Sequence, residues 1–409
     1  NTSDGWNTLN GSRPAETSHS QTDANSLSFF LQDLISFNEK YKMKVFAYNA
    51  EGQKDTVMTP YDSIRYHRMF LQTGIVAIEP TTGQVKVWVG GINHKYFKFD
   101  HIRTKRQVGS TFKPFVYASA IAFRGISPCM RVVDQQYTIE PGEASFGLIK
   151  PWSPGNAEGK FSGKSMTLYE ALRESRNSVS VYLMKQLQST DQVLELVNNM
   201  GIDKSKIPAQ PSICLGSADL TVLEMTGAYA SFANNGTYVV PSFISRIEDK
   251  NGKVIYKNAS DEKQALAPDY NYVMVDLLRY ATRGSAGFQG IKSEVGGKTG
   301  TTNDYVDGWF MGITPSLVVG TWVGGDDRWI HFNSLTYGQG SKMARPFFSE
   351  FIRQLELQKV SDYDPNARFI VPAGSENIVT DCSQYSNPNV IDQPIDTVKR
   401  KPGEDDFFQ

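Results

Sequence analysis

Histidine and cysteine are scarce in this sequence, five and three among 409 residues. The cysteines, Cys129, Cys214 and Cys382, lie far apart and form neither a CxxC pair nor a Cys/His group, which argues against a zinc site. Their number is odd, so at least one is unpaired within the chain, and the simplest reading of all three is buried or idle thiols. An excess of charge is also missing: 42 Lys and Arg against 43 Asp and Glu leave a formal charge of −1. No global field then draws the chain to anionic lipid, and no nucleic-acid partner is implied. The longest apolar runs, such as 316–325, fall far short of the ~20 residues that a membrane helix needs. No basic-then-apolar leader opens the sequence; positions 1–26 are polar and of low complexity, and read as a linker. There is no internal repeat.

What is present is a globular composition, 40% hydrophobic and 12% aromatic, enough for one large domain with appendages. Helical spacing appears at 25–41, and a strand ending in a turn at 43–55. Positions 59–71 suit a helix with Thr59 as N-cap and Pro60 at its first position, and 73–91 read as a hairpin around Pro80-Thr81-Thr82-Gly83. From Gly109 to about Asn235 the pattern turns mostly helical. A hairpin at 241–256 and a helix at 269–284 precede three strands within 294–302, 306–315 and 316–327, and a last helix covers 343–357. Two early and three late strands predict an α+β fold: an antiparallel five-stranded sheet flanked by helices, with an inserted helical subdomain. The expected division is an N-terminal segment 1–58, a main domain 59–357 and a loosely ordered tail 358–409.

Three short motifs carry chemistry. Gly109-Ser110-Thr111-Phe112-Lys113 puts a serine at a helix start and a lysine three residues on, on the same helical face, where the two can share a hydrogen bond. A hydroxyl needs a base to become a nucleophile, and the Ser-Lys pair is one known solution. Lys113 would have to fall from a reference pKa of ~10.4 to about 7–8, through burial and nearby cations. The spacing alone is weak, since Ser260 to Lys263 repeats it. Ser175-Arg176-Asn177 offers a hydroxyl to relay a proton and an amide to hold a carbonyl, with chance copies at Ser36 to Asn38 and Ser375 to Asn377. Gly296-Gly297-Lys298-Thr299-Gly300-Thr301 suits a strand that receives an anionic peptide along its edge. A phosphate loop fails on spacing, because Lys292 stands where that loop needs glycine.

In this order, and with the sequence around them, the motifs resemble the penicillin-binding transpeptidases of the class A, bifunctional branch. The likeness runs over roughly 60–357, including RQVGSTFKPFVYASAI, PWSPGNAEG and GGKTGTTNDYVDGWFMGITPSLVVGTWVGGDD. The resemblance implies that Ser110 is acylated, that Lys113 is its base and that Ser175 shuttles the proton. Asn177, Lys298, Thr299, Gly300 and Thr301 would bind substrate, with Lys298 and Thr301 on the terminal carboxylate. It implies a serine-type D-Ala-D-Ala transpeptidase or carboxypeptidase that cross-links peptidoglycan stem peptides and is acylated by β-lactams. Backbone N–H groups of Ser110 and Thr301 would form the oxyanion hole, and no metal or organic cofactor is required. It further implies a parent protein anchored in the membrane with a glycosyltransferase domain, working at the extracytoplasmic, periplasmic face of the inner membrane.

Other readings share these motifs. A β-lactamase needs a group that activates water on the acyl-enzyme, and no Glu-containing hydrolytic loop stands out. A non-catalytic β-lactam sensor is disfavoured by three intact motifs, and a class B transpeptidase by the flanking sequence.

Overall fold

The computed structural model describes residues 36–259 and 261–384, in two compact units that divide between Phe70 and Leu71. In the first unit, β1 (Tyr41–Phe46) and β2 (Gln53–Met58) form an antiparallel hairpin, followed by α1 (Pro60–Arg68). Thr59 caps α1 as expected, its hydroxyl accepting from the Asp62 amide at 3.0 Å, and Pro60 opens the helix where a missing N–H costs nothing. Phe46, Tyr48, Tyr66 and Phe70 pack edge to face, giving this small unit its own apolar centre. The helix expected at 25–41 lies largely outside the described residues.

The second unit is built on the five-stranded antiparallel sheet, in the order β5-β6-β7-β3-β4: β3 is Gln72–Ile78, β4 Val85–Val89, β5 Gly296–Thr301, β6 Asp307–Ile313 and β7 Val318–Gly324. Every residue of β6 and β7 is buried, because helices cover both faces. Trp309, Met311 and Ile313 pair across with Trp322, Gly320 and Val318 and face the larger core; Phe310, Val319 and Ala77 face the smaller one, with Phe348 and Ile352. The period-two alternation thus serves two cores. β5 is an edge strand, which leaves its outer side for the site.

The larger core holds α2 (Lys113–Arg124), α3 (Leu168–Arg173), α4 (Asn177–Leu187), α5 (Val222–Ala233) and α6 (Pro268–Thr282), while α7 (Arg345–Leu357) covers the other face. The helical block between the early and late strands is as the sequence predicts. One expectation fails: Cys129 and Cys382 are joined in a disulfide with Cα atoms 5.0 Å apart, and only Cys214 is a free, buried thiol. The pairing is not legible in the sequence because 253 positions separate the two cysteines. Tyr363, Phe369 and Ser375 are buried and anchor 360–384 at three points, although most of its residues are exposed; the rest of the expected tail, 385–409, lies outside the described residues.

Candidate active site

Ser110 sits in a 3-10 turn, Gly109–Phe112, that leads into α2. Two backbones meet there: Gly109 donates its N–H to Gly216 at 3.0 Å, and Gly109 has a φ of 52°, in the left-handed region that favours glycine. A β-carbon on Gly216 would lie 1.8 Å from the Gly109 carbonyl oxygen, so neither position tolerates a side chain. The Tyr229 hydroxyl donates to the Thr111 carbonyl at 2.5 Å and pins the turn from α5. Ser110 itself is half-buried, and no hydrogen bond to another described residue holds its hydroxyl.

The second motif closes the cleft from the other side. α3 begins in a capping box of Thr167 and Glu170 and ends two residues before Ser175, whose φ of 58° is rare for a residue with a side chain. That backbone aims two groups into the cleft: the Ser175 carbonyl accepts from Lys113 Nζ at 2.5 Å, and its hydroxyl accepts from Lys298 Nζ at 2.8 Å. Asn177 opens α4; its Oδ1 accepts from Lys113 Nζ at 2.7 Å while its Nδ2 donates to the Gly155 carbonyl at 2.8 Å. The amide is therefore held in one orientation. Arg176 reaches Glu174 at 2.7 Å, Glu158 at 3.6 Å and Asp134 at 3.7 Å, which accounts for a cation at the middle of this motif.

The third motif is β5. Gly300 passes so near the nucleophile turn that a β-carbon would lie 2.7 Å from the Val108 carbonyl oxygen, and backbone cannot step aside as a flexible side chain can. Gly300→Val is expected to destabilise the fold by about 1–3 kcal/mol, read as a lower denaturation midpoint; an unchanged midpoint would show the approach to be slack. The Thr301 hydroxyl accepts from the Gly340 amide at 3.0 Å, while Thr299 and Thr301 remain half-exposed.

Lys113 is fully buried and Lys298 is 2% exposed. Burial pushes the Lys113 ammonium well below the usual lysine range, and the nearby Lys298 charge pushes it further the same way. Burial brings Lys298 down to about 7. Two amines held below the usual lysine range, Lys298 at about 7, thus flank the Ser175 hydroxyl, at 3.5 Å and 2.8 Å. Such an arrangement can take, relay and return a proton.

The structure brings Lys113, Ser175, Asn177 and Lys298 into one hydrogen-bonded group, with Ser110 on the turn ahead of Lys113. The hydrogen bond between Ser110 and Lys113 that the spacing suggests is not formed, because Lys113 is drawn to Ser175 and Asn177. Of the chance motifs, Ser260 lies outside the described residues, Lys263 is on an exposed strand, and Ser375–Asn377 is a 3-10 turn without a hydrogen bond to either cleft lysine. Sequence reasoning assigned no part to Asp134, Asn156, Gly216, Tyr229 or Gly340. These act through backbone contacts and hydrogen bonds across long separations, which no local spacing encodes.

Comparison with known proteins bears on the family and the fold. Residues 73–324 match the penicillin-binding protein transpeptidase domain, and 34–71 match the penicillin-binding protein middle domain. Penicillin-binding protein 1A of Aquifex aeolicus is 32% identical over 349 residues, covering 83% of this chain and 45% of that protein. Penicillin-binding protein 1A of Rickettsia conorii is 33% identical, covering 75% of this chain and 40% of its own length. The chain spans less than half of these relatives. In fold it is similar to penicillin-binding protein 1A from Haemophilus influenzae (TM-score 0.65, 23% identity, 80% of this chain and 51% of that one). It is also similar to the PonA1 protein from Mycobacterium tuberculosis in complex with penicillin V (TM-score 0.61, 22% identity, 85% and 93%). The five-stranded sheet with its two helical layers is that fold, and the chain belongs to the penicillin-binding protein transpeptidase family, in its class A type.

Proposed function

We propose that this chain is a serine D,D-transpeptidase that cross-links peptidoglycan stem peptides through an acyl-enzyme on Ser110. The observation that carries the reading is the pair of buried lysines converging on the Ser175 hydroxyl behind Ser110. Lys113, whose ammonium form burial and the Lys298 charge disfavour, accepts the Ser110 proton as Oγ attacks the carbonyl of a terminal D-Ala-D-Ala bond. The new oxyanion is received by the N–H groups of Ser110 and Thr301, each such donor being worth ~3–4 kcal/mol in related chemistry. The proton passes by way of Ser175 to the departing amine, and D-Ala leaves. An amine from a second stem then takes the acyl group and restores Ser110; water in its place gives carboxypeptidase action. Lys298, with Thr299 and Thr301 beside it, suits the terminal carboxylate, and Gly300 lets the strand edge approach. A β-lactam presents the same carboxylate and a strained amide, and would stay on Ser110.

The parent protein, by the same reading, is membrane-anchored with a glycosyltransferase domain and works on the outer side of the inner membrane, with 59–357 as the catalytic portion. Among the described residues no helix is long and apolar enough to cross a membrane. Incubation with a fluorescent penicillin, followed by denaturing electrophoresis and intact mass, tests the proposal. Expected is one stable adduct that is absent in Ser110→Ala; a wild-type chain without an adduct would overturn it.

A further inference from the structure

The Ser175-Arg176-Asn177 loop rests on a buried carboxylate that the catalytic scheme leaves without a part. Asp134 is fully buried, and each of its oxygens takes two hydrogen bonds. Oδ1 accepts from Asn156 Nδ2 at 2.7 Å and from the Ser178 hydroxyl at 2.6 Å; Oδ2 accepts from the Ser162 amide and the Ser162 hydroxyl, both at 2.8 Å. Four donors fill the lone pairs of a carboxylate. Burial alone would push Asp134 up, but the bonds from Ser178, Ser162 and Asn156 outweigh it and hold the carboxyl at about 2. It is an anion at any working pH.

Asn156 carries the arrangement to the site. Its Nδ2 is spent on Asp134 and on the Lys160 carbonyl at 3.1 Å, so its Oδ1 must face the other way. There it accepts from the backbone N–H groups of Asn177 at 2.9 Å and Ser178 at 3.2 Å, the open N–H groups at the start of α4. Arg176, at the cap position itself, offers no acceptor, so a residue from a distant segment supplies the cap. The next residue back, Gly155, takes Asn177 Nδ2 and leaves Oδ1 turned to Lys113.

We propose that Asp134 and Asn156 are positioning residues for proton transfer, a buried pair that fixes the start of α4 and the Asn177 amide so that Lys113 Nζ is held at its working place. The inference rests on the acyl-transfer reading above. Its physical content is a chain of single choices: an anion at 134 sets the Asn156 amide, Asn156 sets the α4 start, and Gly155 sets the Asn177 amide. Only the last contact touches Lys113. The charged and titratable groups around Lys113 are Lys298 on β5, Cys214 beneath it, and Glu158 and Arg176 across the loop. Asp134 reaches this set through Arg176, at 3.7 Å, as well as through Asn156.

Asp134→Asn keeps the shape but turns one oxygen into a donor facing two donors, so the network must rearrange. Acylation by a fluorescent penicillin, measured against pH on the whole chain, is expected to slow by about 10–100-fold. The pH midpoint of its acid limb is expected to move down, because Lys113 loses an acceptor that favours its protonated form. Ser178→Ala, which removes one of the four donors, should move both readouts the same way by a smaller amount, and keeps the test available if Asp134→Asn fails to fold. Exchanging the pair, Asp134→Asn with Asn156→Asp, restores an anion and an amide in contact and should recover part of the rate. A lower denaturation midpoint with the acylation rate and pH midpoint of wild type in these variants would make the network merely structural and overturn the inference. If wild type itself takes no penicillin, it is the acyl-transfer reading that falls.

Discussion

Lys113→Met is expected to slow acylation of Ser110 by penicillin about 10²–10⁴-fold, the usual cost of losing a general base, while the fold becomes more stable. Lys113 is fully buried beside Lys298, and both amines are held below the ordinary lysine range. Keeping such groups costs free energy that a methionine of similar length does not incur, and stabilisation of about 0.5–2 kcal/mol is the expected scale at a site of this kind. The acceptors left behind, Ser175 O and Asn177 Oδ1, border the open cleft, where water can serve them. The pH dependence has a definite sign. An amine whose folded pKa lies below its unfolded value of ~10.4 binds more protons in the unfolded chain, so its cost is largest at low pH and fades as pH rises toward 10. For Lys298 that window opens at about 7. The excess stability of Lys113→Met over wild type should therefore be larger at acid pH than at alkaline pH. Stopped acylation assays and thermal denaturation at several pH values measure both. A variant acylated within about threefold of wild type would remove Lys113 from the role of base.

The contrast between legible and hidden parts follows from the range of the forces involved. β3 and β4 announced themselves through β-branched alternation around a turn, and α1 through Thr59 and Pro60, because these signals lie within a few neighbouring residues. Lys113 announced itself by its spacing from Ser110, and Lys298 by glycines that only a close approach explains. What the motifs did not disclose is how they meet: the left-handed Ser175, which sends carbonyl and hydroxyl to two different lysines, is a property of the assembled cleft. Asp134 is the sharpest case. As a lone acidic residue in a mixed stretch it reads as surface, yet it is fully buried because four donors from residues 22 to 44 positions away converge on it. The choice of Arg176, opaque in the sequence, becomes plain once Glu174, Glu158 and Asp134 stand around it.

Reduction of the Cys129–Cys382 disulfide, or Cys382→Ser, is expected to cost about 2–5 kcal/mol of stability. The two residues are 253 positions apart, so the bridge closes a loop that takes in most of the second unit. Loop-closure entropy grows with length, and a loop of this size lies at the upper end of the range, near ~5 kcal/mol, where strain does not intervene. Locally the bridge fastens 375–384 to the main body: Ile378 and Cys382 lie against the larger core, and the turn Ser375–Asn377 touches α6. Released, this segment should become the first part of the chain cut by a protease, with the cleft untouched. Penicillin acylation at low temperature should then stay near the wild-type rate while the denaturation midpoint falls. A loss of acylation in step with the bridge would instead tie the segment to the site. The bridge also bears on where the protein works, since such bonds persist in oxidising compartments and are rare where thiols are kept reduced. The pairing of Cys129 with Cys382 fits the extracytoplasmic placement proposed above, while Cys214, a buried thiol, has no bearing on it.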